Sequence, residues 1–119
     1  MHFIAQILTA LVALLHLYFL ALEMFFWDKP LGRRVFNLTP EFATASKALA
    51  ANQGLYNGFL ATGLIWSLAL GGREGFHVAI FFLTCVIVAG IYGALTVNRR
   101  IFFFQALPAL LALVALHLR

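Results

Sequence analysis

Four apolar stretches, separated by polar connections, constrain the fold of this chain more than any other feature. They run over the following residues: Phe3 to Trp27, Leu49 to Leu70, Phe76 to Val97 and Ile101 to Leu118. Because an α-helix rises about 1.5 Å per residue, each stretch is about long enough to cross the roughly 30 Å of hydrocarbon in a bilayer. Hydrophobic residues make up 64% of the 119 residues and charged residues only 10%, which is far from the composition of a soluble domain. The sequence therefore predicts a membrane protein with four helical spans.

The connections between the stretches predict how the helices are arranged. Gly71-Gly72 ends the second stretch and Asn98-Arg99-Arg100 ends the third, and both connections are so short that consecutive helices must run antiparallel as neighbours. The predicted fold is all-α, a single transmembrane domain over residues 1–119 that forms an up-down four-helix bundle. Pro108 lies inside the last helix, where it removes one backbone hydrogen bond and predicts a bend.

The first connection, Asp28 to Ala48, is the only long one in the sequence, and it mixes basic with apolar side chains. This mixture predicts a segment that lies on the membrane surface, with Trp27 and Phe36 at the depth of the lipid headgroups. Within it, Thr39-Pro40-Glu41 has the order of a helix cap followed by proline at the first helical position. We therefore expect a short interfacial helix to begin at Pro40 and to lead into the second span.

The distribution of basic residues predicts the orientation in the membrane. The first and third connections carry six of them: Lys29, Arg33, Arg34, Lys47, Arg99 and Arg100. The other side carries Arg73 and Arg119, so the positive-inside rule places both termini outside the cytoplasm. The net charge of +4 does not indicate a nucleic-acid-binding protein, because the basic residues are scattered through connections and form no basic stripe or helix.

Polar residues recur at intervals of seven in the first stretch, at His2, Thr9, His16 and Glu23. A spacing of seven drifts by only about 20° per step, so these residues share one helix face, as expected of a seam that contacts other helices. An ionised carboxylate in hydrocarbon costs on the order of 3 kcal/mol. Glu23 should therefore point inward and have partners; the alternative is that it lies near enough to the cytoplasmic interface for its carboxylate to reach water.

The second stretch begins with the densest polar cluster of any span. Asn52, Gln53, Tyr56 and Asn57 cover an arc of about 140° at 100° per residue. Gly54 and Gly58 fall on the other side as a GxxxG pair, which suits the close approach of another helix, either from this chain or from a second copy in a homodimer. The two glycines are therefore predicted to serve helix packing.

The third and fourth stretches add polar residues near the same, cytoplasmic end of the predicted bundle. The combined set predicts a ligand-binding site in a pocket that opens toward the cytoplasm. Its candidate residues are His16, Glu23, Asn52, Gln53, Tyr56, Asn57, Tyr92 and Gln105. No metal site is predicted, since His16 and Glu23 lie about 10 Å apart along the helix axis, and no cofactor is assigned.

Three kinds of function are compatible with such a site. The protein binds or transports a small amphiphilic or polar molecule, with membrane lipid around it. Alternatively it is an intramembrane isomerase or reductase of an apolar substrate, in which Glu23 or His16 exchanges protons and Tyr56 or Tyr92 donates a hydrogen bond. In the third alternative it is an accessory subunit whose polar residues only hold helices together. The residues leave open whether the protein is an enzyme.

The run Asn52 to Ala61, NQGLYNGFLA, carries a resemblance to a known family. Together with His16, Glu23, Trp27 and the Val35-Phe36 segment, it resembles a family of small bacterial integral membrane proteins known as domain of unknown function 1304, over nearly the whole chain. The resemblance implies a multi-pass protein of the bacterial cytoplasmic membrane. It implies no activity.

Overall fold

The computed structural model describes residues 1–118 of the chain, and Arg119, which entered the predicted orientation, lies outside the described residues. The helices are α1 (Phe3–Phe25), α2 (Pro30–Phe36), α3 (Pro40–Leu70), α4 (Gly72–Thr96), a π-helical segment (Phe102–Ala106) and α5 (Leu107–Leu116). The predicted all-α class is therefore confirmed. Among the described residues, α1 and α4 are the two helices that are long and apolar enough to cross a membrane, and they indicate a membrane protein.

The helix boundaries differ from the predicted ones mainly at α3. The Thr39 hydroxyl accepts a hydrogen bond from the backbone N–H of Phe42 at 3.2 Å, and Pro40 is the first helical residue. The predicted helix start is therefore confirmed, but α3 then continues without a break through the second apolar stretch. It ends at Leu70, because Gly71 and Gly72 adopt φ values of 63° and 58° that favour glycine.

The chain divides into two compact units. The terminal unit comprises Met1–Leu14 and residues 60–118, and the middle unit comprises Leu15–Phe59. Two helices contribute to both: α1 belongs to the middle unit from Leu15 onward, and α3 belongs to it as far as Phe59. The two units are described separately below.

Small residues allow close helix packing in the terminal unit. A Cβ on Gly75 would lie 2.5 Å from the Ser67 carbonyl oxygen, and one on Gly90 would lie 2.6 Å from the Ala106 nitrogen. At its other end, α4 places the Phe76 ring 5.6 Å from the ring of His117. Contacts at both ends of α4 show that α4 runs antiparallel to the π-helical segment and α5. Such contact through small residues is typical of helices in membranes.

The π-helical segment ends two residues before Pro108. A proline ring inside an α-helix clashes with the carbonyl four residues earlier, which here belongs to Phe104 within the widened turn. The backbone N–H of Leu107 bonds to the carbonyl of Phe102, five residues back. The predicted irregularity near Pro108 thus takes the form of a π-helical turn, which is a recognised way of accommodating a break in the α-helical hydrogen bonds.

Thr9→Val is expected to raise the thermal stability of the detergent-solubilised protein. The Thr9 side chain is fully buried in the terminal unit, and in the described part of the chain its hydroxyl has no hydrogen-bond partner. A buried, unpaired hydroxyl costs about 1–3 kcal/mol, and valine has nearly the same shape. The measurement is the apparent melting temperature from tryptophan fluorescence.

Ser67→Ala is the matched control for Thr9→Val. The Ser67 hydroxyl is also fully buried, but it donates to the Leu64 carbonyl at 2.6 Å. Removing it should lower the melting temperature slightly, since a satisfied hydrogen bond contributes about 1 kcal/mol. A decrease in both variants would contradict the prediction for Thr9.

In the middle unit, α1 and α3 run antiparallel and α2 folds back on the end of α1. The space for a side chain at Gly58 is taken by the Leu20 side chain, at 2.7 Å from a built Cβ. Farther along, Trp27 bonds to Ser46 and Asp28 to Lys47. The α2 helix ends at Asn37, which has a positive φ of 56° and caps it in the left-handed conformation. These contacts determine how the polar residues of α1 and α3 meet.

Candidate functional site

A buried carboxylate–amide pair joins α1 and α3 in the middle unit. The Asn57 side-chain nitrogen donates a hydrogen bond to Glu23 Oε1. Glu23 is only 8% exposed and Asn57 only 6%. The prediction that Glu23 points inward and has a partner is therefore confirmed. Asn57 supplies one of the roughly four hydrogen bonds that a carboxylate can accept.

Glycine at position 54 makes this pair possible. A Cβ built on Gly54 would lie 2.7 Å from Met24 Cγ, 3.1 Å from Glu23 Cβ and 3.2 Å from the Leu20 carbonyl oxygen. Any larger side chain would separate the two helices, and the short Asn57 side chain reaches Glu23 only across a narrow gap. Gly54 and Gly58 thus pack against α1. The prediction left two partners open, a helix of the same chain or a helix of a second copy, and the structure shows the first.

His16 lies on the same face of α1 as Glu23 and is fully buried. Its ring contacts the Phe19 ring edge to face, with 5.4 Å between the centroids. With Thr9 and Glu23 also buried, the seven-residue spacing on α1 correctly predicted one inward-facing side. His2, the first member of that series, is partly exposed.

Asn52, Gln53 and Tyr56 are exposed on α3. Tyr56 is 54% exposed, and its ring contacts Phe59 on the same helix, with 5.7 Å between the centroids. The predicted polar arc is therefore divided: Asn57, at its edge beside Gly54, faces α1, while the other three face outward. They form an exposed polar patch on α3, the helix that carries Asn57.

The last two candidate residues belong to the terminal unit. Tyr92 is 69% exposed on α4, where it lines a shallow open groove of about 720 Å³ with mainly apolar neighbours such as Phe81 and Val88. Gln105 is partly buried in the π-helical segment. Their participation in one site with Glu23 stays a prediction.

A further polar layer, which sequence reasoning missed, connects α1 and α3 at the end of the middle unit. The Trp27 indole N–H donates to Ser46 Oγ at 3.0 Å, and that hydroxyl donates to the Phe42 carbonyl at 2.6 Å. Beside it, Lys47 Nζ lies 3.2 Å from Asp28 Oδ2. The hydrogen bond from Lys47 holds the pKa of Asp28 below its usual value. The ion pair is therefore present at neutral pH and is lost only as the pH falls through that lowered pKa.

Metal chemistry has no candidate site in the part of the chain that the structure describes. Residues 1–118 contain no group of three or more His, Cys, Asp or Glu side chains placed to hold an ion. Cys85 is an isolated free thiol on α4. The candidate site in the middle unit comprises the Glu23–Asn57 pair, His16 on the same face of α1 and the exposed polar patch on α3.

Comparison with known proteins identifies the family but no activity. A family described as "Protein of unknown function (DUF1304)" matches residues 10–117. The chain is 35% identical over 111 residues to the "Uncharacterized protein YpaA" of Lactococcus lactis subsp. lactis (strain IL1403), and the match covers 92% of each chain. No solved structure matches the chain. The predicted resemblance is thus confirmed, and the chain belongs to the DUF1304 family of proteins of unknown function.

Proposed function

We propose that this protein binds a small amphiphilic or polar molecule within the membrane, with the Glu23–Asn57 pair as the polar anchor. The observation that carries the proposal is the burial of the Glu23 carboxylate. This carboxylate can accept about four hydrogen bonds, and Asn57 donates one of them. Burial of such a group costs free energy, and apolar residues would pack the two helices without that cost. A ligand that donates a hydrogen bond to Glu23 would explain why a carboxylate is present at this buried position.

The exposed patch on α3 supports the same proposal. Asn52, Gln53 and Tyr56 lie within one to two turns of Asn57 on the same helix. Amide and phenol groups exposed on a membrane helix are costly to leave unpaired in hydrocarbon. In the proposed function they bind the polar part of a molecule that approaches Glu23, and His16 lies deeper on the α1 face.

The proposed setting is the bacterial cytoplasmic membrane, crossed four times in an up-down bundle. The antiparallel contacts within each unit and the short connection at Gly71 support this topology. The excess of basic residues in the first and third connections supports a location of both termini outside the cytoplasm.

Single-cysteine labelling tests the proposed orientation. In a Cys85→Ser background, Arg34→Cys and Arg73→Cys each place one thiol at an exposed position. A membrane-impermeant maleimide added to intact cells should label position 73 and not position 34, and both should react after the cells are lysed. Labelling of position 34 from outside would contradict the proposed orientation.

Mass spectrometry of copurifying molecules tests the proposed function. The wild-type protein, gently solubilised and purified, should carry a defined compound above the level of bulk lipid. Glu23→Gln keeps the shape but removes the carboxyl group, so it should lose most of that compound while its helix content and elution volume stay unchanged. Glu41→Gln removes an exposed carboxylate from the same unit and should retain the compound.

Two outcomes would overturn the proposed function. If neither the wild type nor Glu23→Gln carries anything beyond bulk lipid, no ligand of the kind proposed is bound. If Glu23→Gln fails to fold and the wild type carries no ligand, the buried pair only connects two helices.

A further inference from the structure

The α2 helix presents two chemically different sides next to the end of a candidate span. Its packed side is defined by Gly32, which is buried against the backbone of Phe26 and Trp27 at the end of α1. Leu31 and Val35, four residues apart, are 39% and 44% exposed. Residues that are four apart share a face, whereas residues two apart lie about 200° apart on a helix. Leu31 and Val35 therefore form one apolar flank of α2.

Basic side chains form the opposite flank of α2. Lys29, at the cap, and Arg33 are four residues apart, and each is two residues from a member of the apolar flank. Arg34 is exposed between the two flanks, about 200° around the helix from the packed Gly32. Within residues 1–118, none of these three side chains forms an ion pair, and the nearby Asp28 carboxylate is paired with Lys47. Arg33 also has a buried Nε without a hydrogen-bond acceptor in the described part of the chain.

The position of α2 along the chain places these flanks at the membrane surface. It begins five residues after α1 ends at Phe25, and α1 is a candidate span. The intervening Trp27 is held by its bond to Ser46 and by contact with the Phe36 ring, at 4.9 Å between centroids. Tryptophan is enriched at the level of the headgroups. At that depth the apolar flank of α2 can contact the hydrocarbon of the bilayer, and the basic flank can contact the phosphate groups of the lipids.

We propose that α2, with Lys29, Arg33 and Arg34, is a binding surface for the headgroups of anionic phospholipids. The charges are complementary: the connection from Asp28 to Ala48 carries four basic and two acidic side chains, and one acidic group is already paired with Lys47. Arginine guanidinium groups bind phosphate oxygens with paired N–H donors. The apolar flank favours a lipid over a free anion, since Leu31 and Val35 contact hydrocarbon only when the headgroup belongs to a bilayer. This inference does not depend on a ligand at Glu23.

The test compares two adjacent pairs of arginines in the full-length protein. The purified protein is placed in mixed micelles that contain equal amounts of phosphatidylglycerol and phosphatidylcholine with identical acyl chains, and the bound lipids are counted by native mass spectrometry. The wild type should retain phosphatidylglycerol in preference to phosphatidylcholine. Arg33→Gln/Arg34→Gln should reduce that preference by at least about fivefold, as expected when basic residues are removed from a membrane surface. Arg99→Gln/Arg100→Gln, a second pair of adjacent exposed arginines, should reduce it by less than half.

A competition arm distinguishes the lipid from a free anion. Inorganic phosphate should displace no more phosphatidylglycerol than sodium chloride of the same ionic strength, which weakens the contact by screening alone. Greater displacement by phosphate would overturn the assignment to a lipid. The proposal would also be overturned by equal losses in the two arginine variants, or by a wild type without preference for the anionic lipid. Circular dichroism of each variant verifies that the helix content is unchanged.

Discussion

Gly32→Ala is expected to destabilise the middle unit more than any other glycine-to-alanine change in it. A Cβ at position 32 would lie 2.0 Å from the Phe26 carbonyl oxygen, 2.7 Å from the Phe26 carbonyl carbon and 3.0 Å from Trp27 Cα. All three atoms belong to the backbone, so no side chain can rotate to make room. The α2 helix must move away from the end of α1, and we expect a loss of about 1–3 kcal/mol in unfolding free energy, as for an overpacked core.

Trp27 reports directly on this movement. Its indole is held between Ser46 and the Phe36 ring, and Phe36 ends α2. The chain has two tryptophans, so a Trp66→Phe background leaves Trp27 as the only one. In that background Gly32→Ala should shift the Trp27 emission spectrum and lower the melting temperature by several degrees.

Gly93→Ala is the matched control. A Cβ at position 93 would lie 3.1 Å from Ile101 Cγ2 and 3.3 Å from Ile101 Cδ1. Both are side-chain atoms, and a shift of a few tenths of an ångström relieves the contact, whereas position 32 faces fixed backbone. The control should leave both the spectrum and the melting temperature nearly unchanged. If Gly32→Ala also left the emission spectrum and the melting temperature unchanged, that result would contradict the close packing of α2 against α1.

The features that follow from local sequence were the predictable ones. A spacing of seven residues placed Thr9, His16 and Glu23 on one buried face of α1, because helix geometry alone determines which residues share a side. The start of α3 was predictable for a similar reason. Thr39 and Pro40 stabilise a helix start through a hydrogen bond and a fixed φ that need no distant partner.

The α2 helix was not predictable, because its stability depends on tertiary contact. Seven residues are too few to show helical periodicity, and an isolated helix of that length is unstable in water. The contact that positions it, Gly32 against the Phe26 carbonyl, joins backbone atoms of two segments. Nothing in the identity of either residue indicates this contact. The π-helical turn before Pro108 shows the same limit, since a proline predicts an irregularity without its form.

The sequence also could not predict that the polar arc on α3 is divided into one buried and three exposed residues. Asn52, Gln53, Tyr56 and Asn57 are all polar, so the pattern predicted one common face. In the structure only Asn57 is buried, because it lies beside Gly54 on the side of α3 that packs against α1, where a Cβ would be 3.2 Å from the Leu20 carbonyl oxygen. Which edge of an arc turns inward depends on the partner helix, and a single helix carries no information about that partner.

The Glu23–Asn57 pair gives the second large effect and separates binding from helix packing. Asn57→Val removes the amide that donates to the Glu23 carboxylate, and Glu23→Leu leaves the buried amide without its acceptor. A buried polar group that loses its hydrogen-bond partner costs about 1–3 kcal/mol, so each single variant should have a clearly lower melting temperature than the wild type. The double variant Glu23→Leu/Asn57→Val leaves neither group unpaired. It should recover most of the lost stability, because apolar residues replace buried polar pairs with little cost.

The double variant is informative because it separates two measurements, the stability of the protein and the compound that copurifies with it. If the pair anchors a ligand, Glu23→Leu/Asn57→Val should be nearly as stable as the wild type and yet copurify with none of the compound that the wild type carries. If the pair only connects two helices, stability should recover and the copurifying molecules should not change. Purely additive destabilisation by the two substitutions would show that the side chains do not interact energetically, and would contradict the pair itself. A recovered fold combined with a lost ligand is the result expected of a binding site, because packing alone requires no carboxylate at this position.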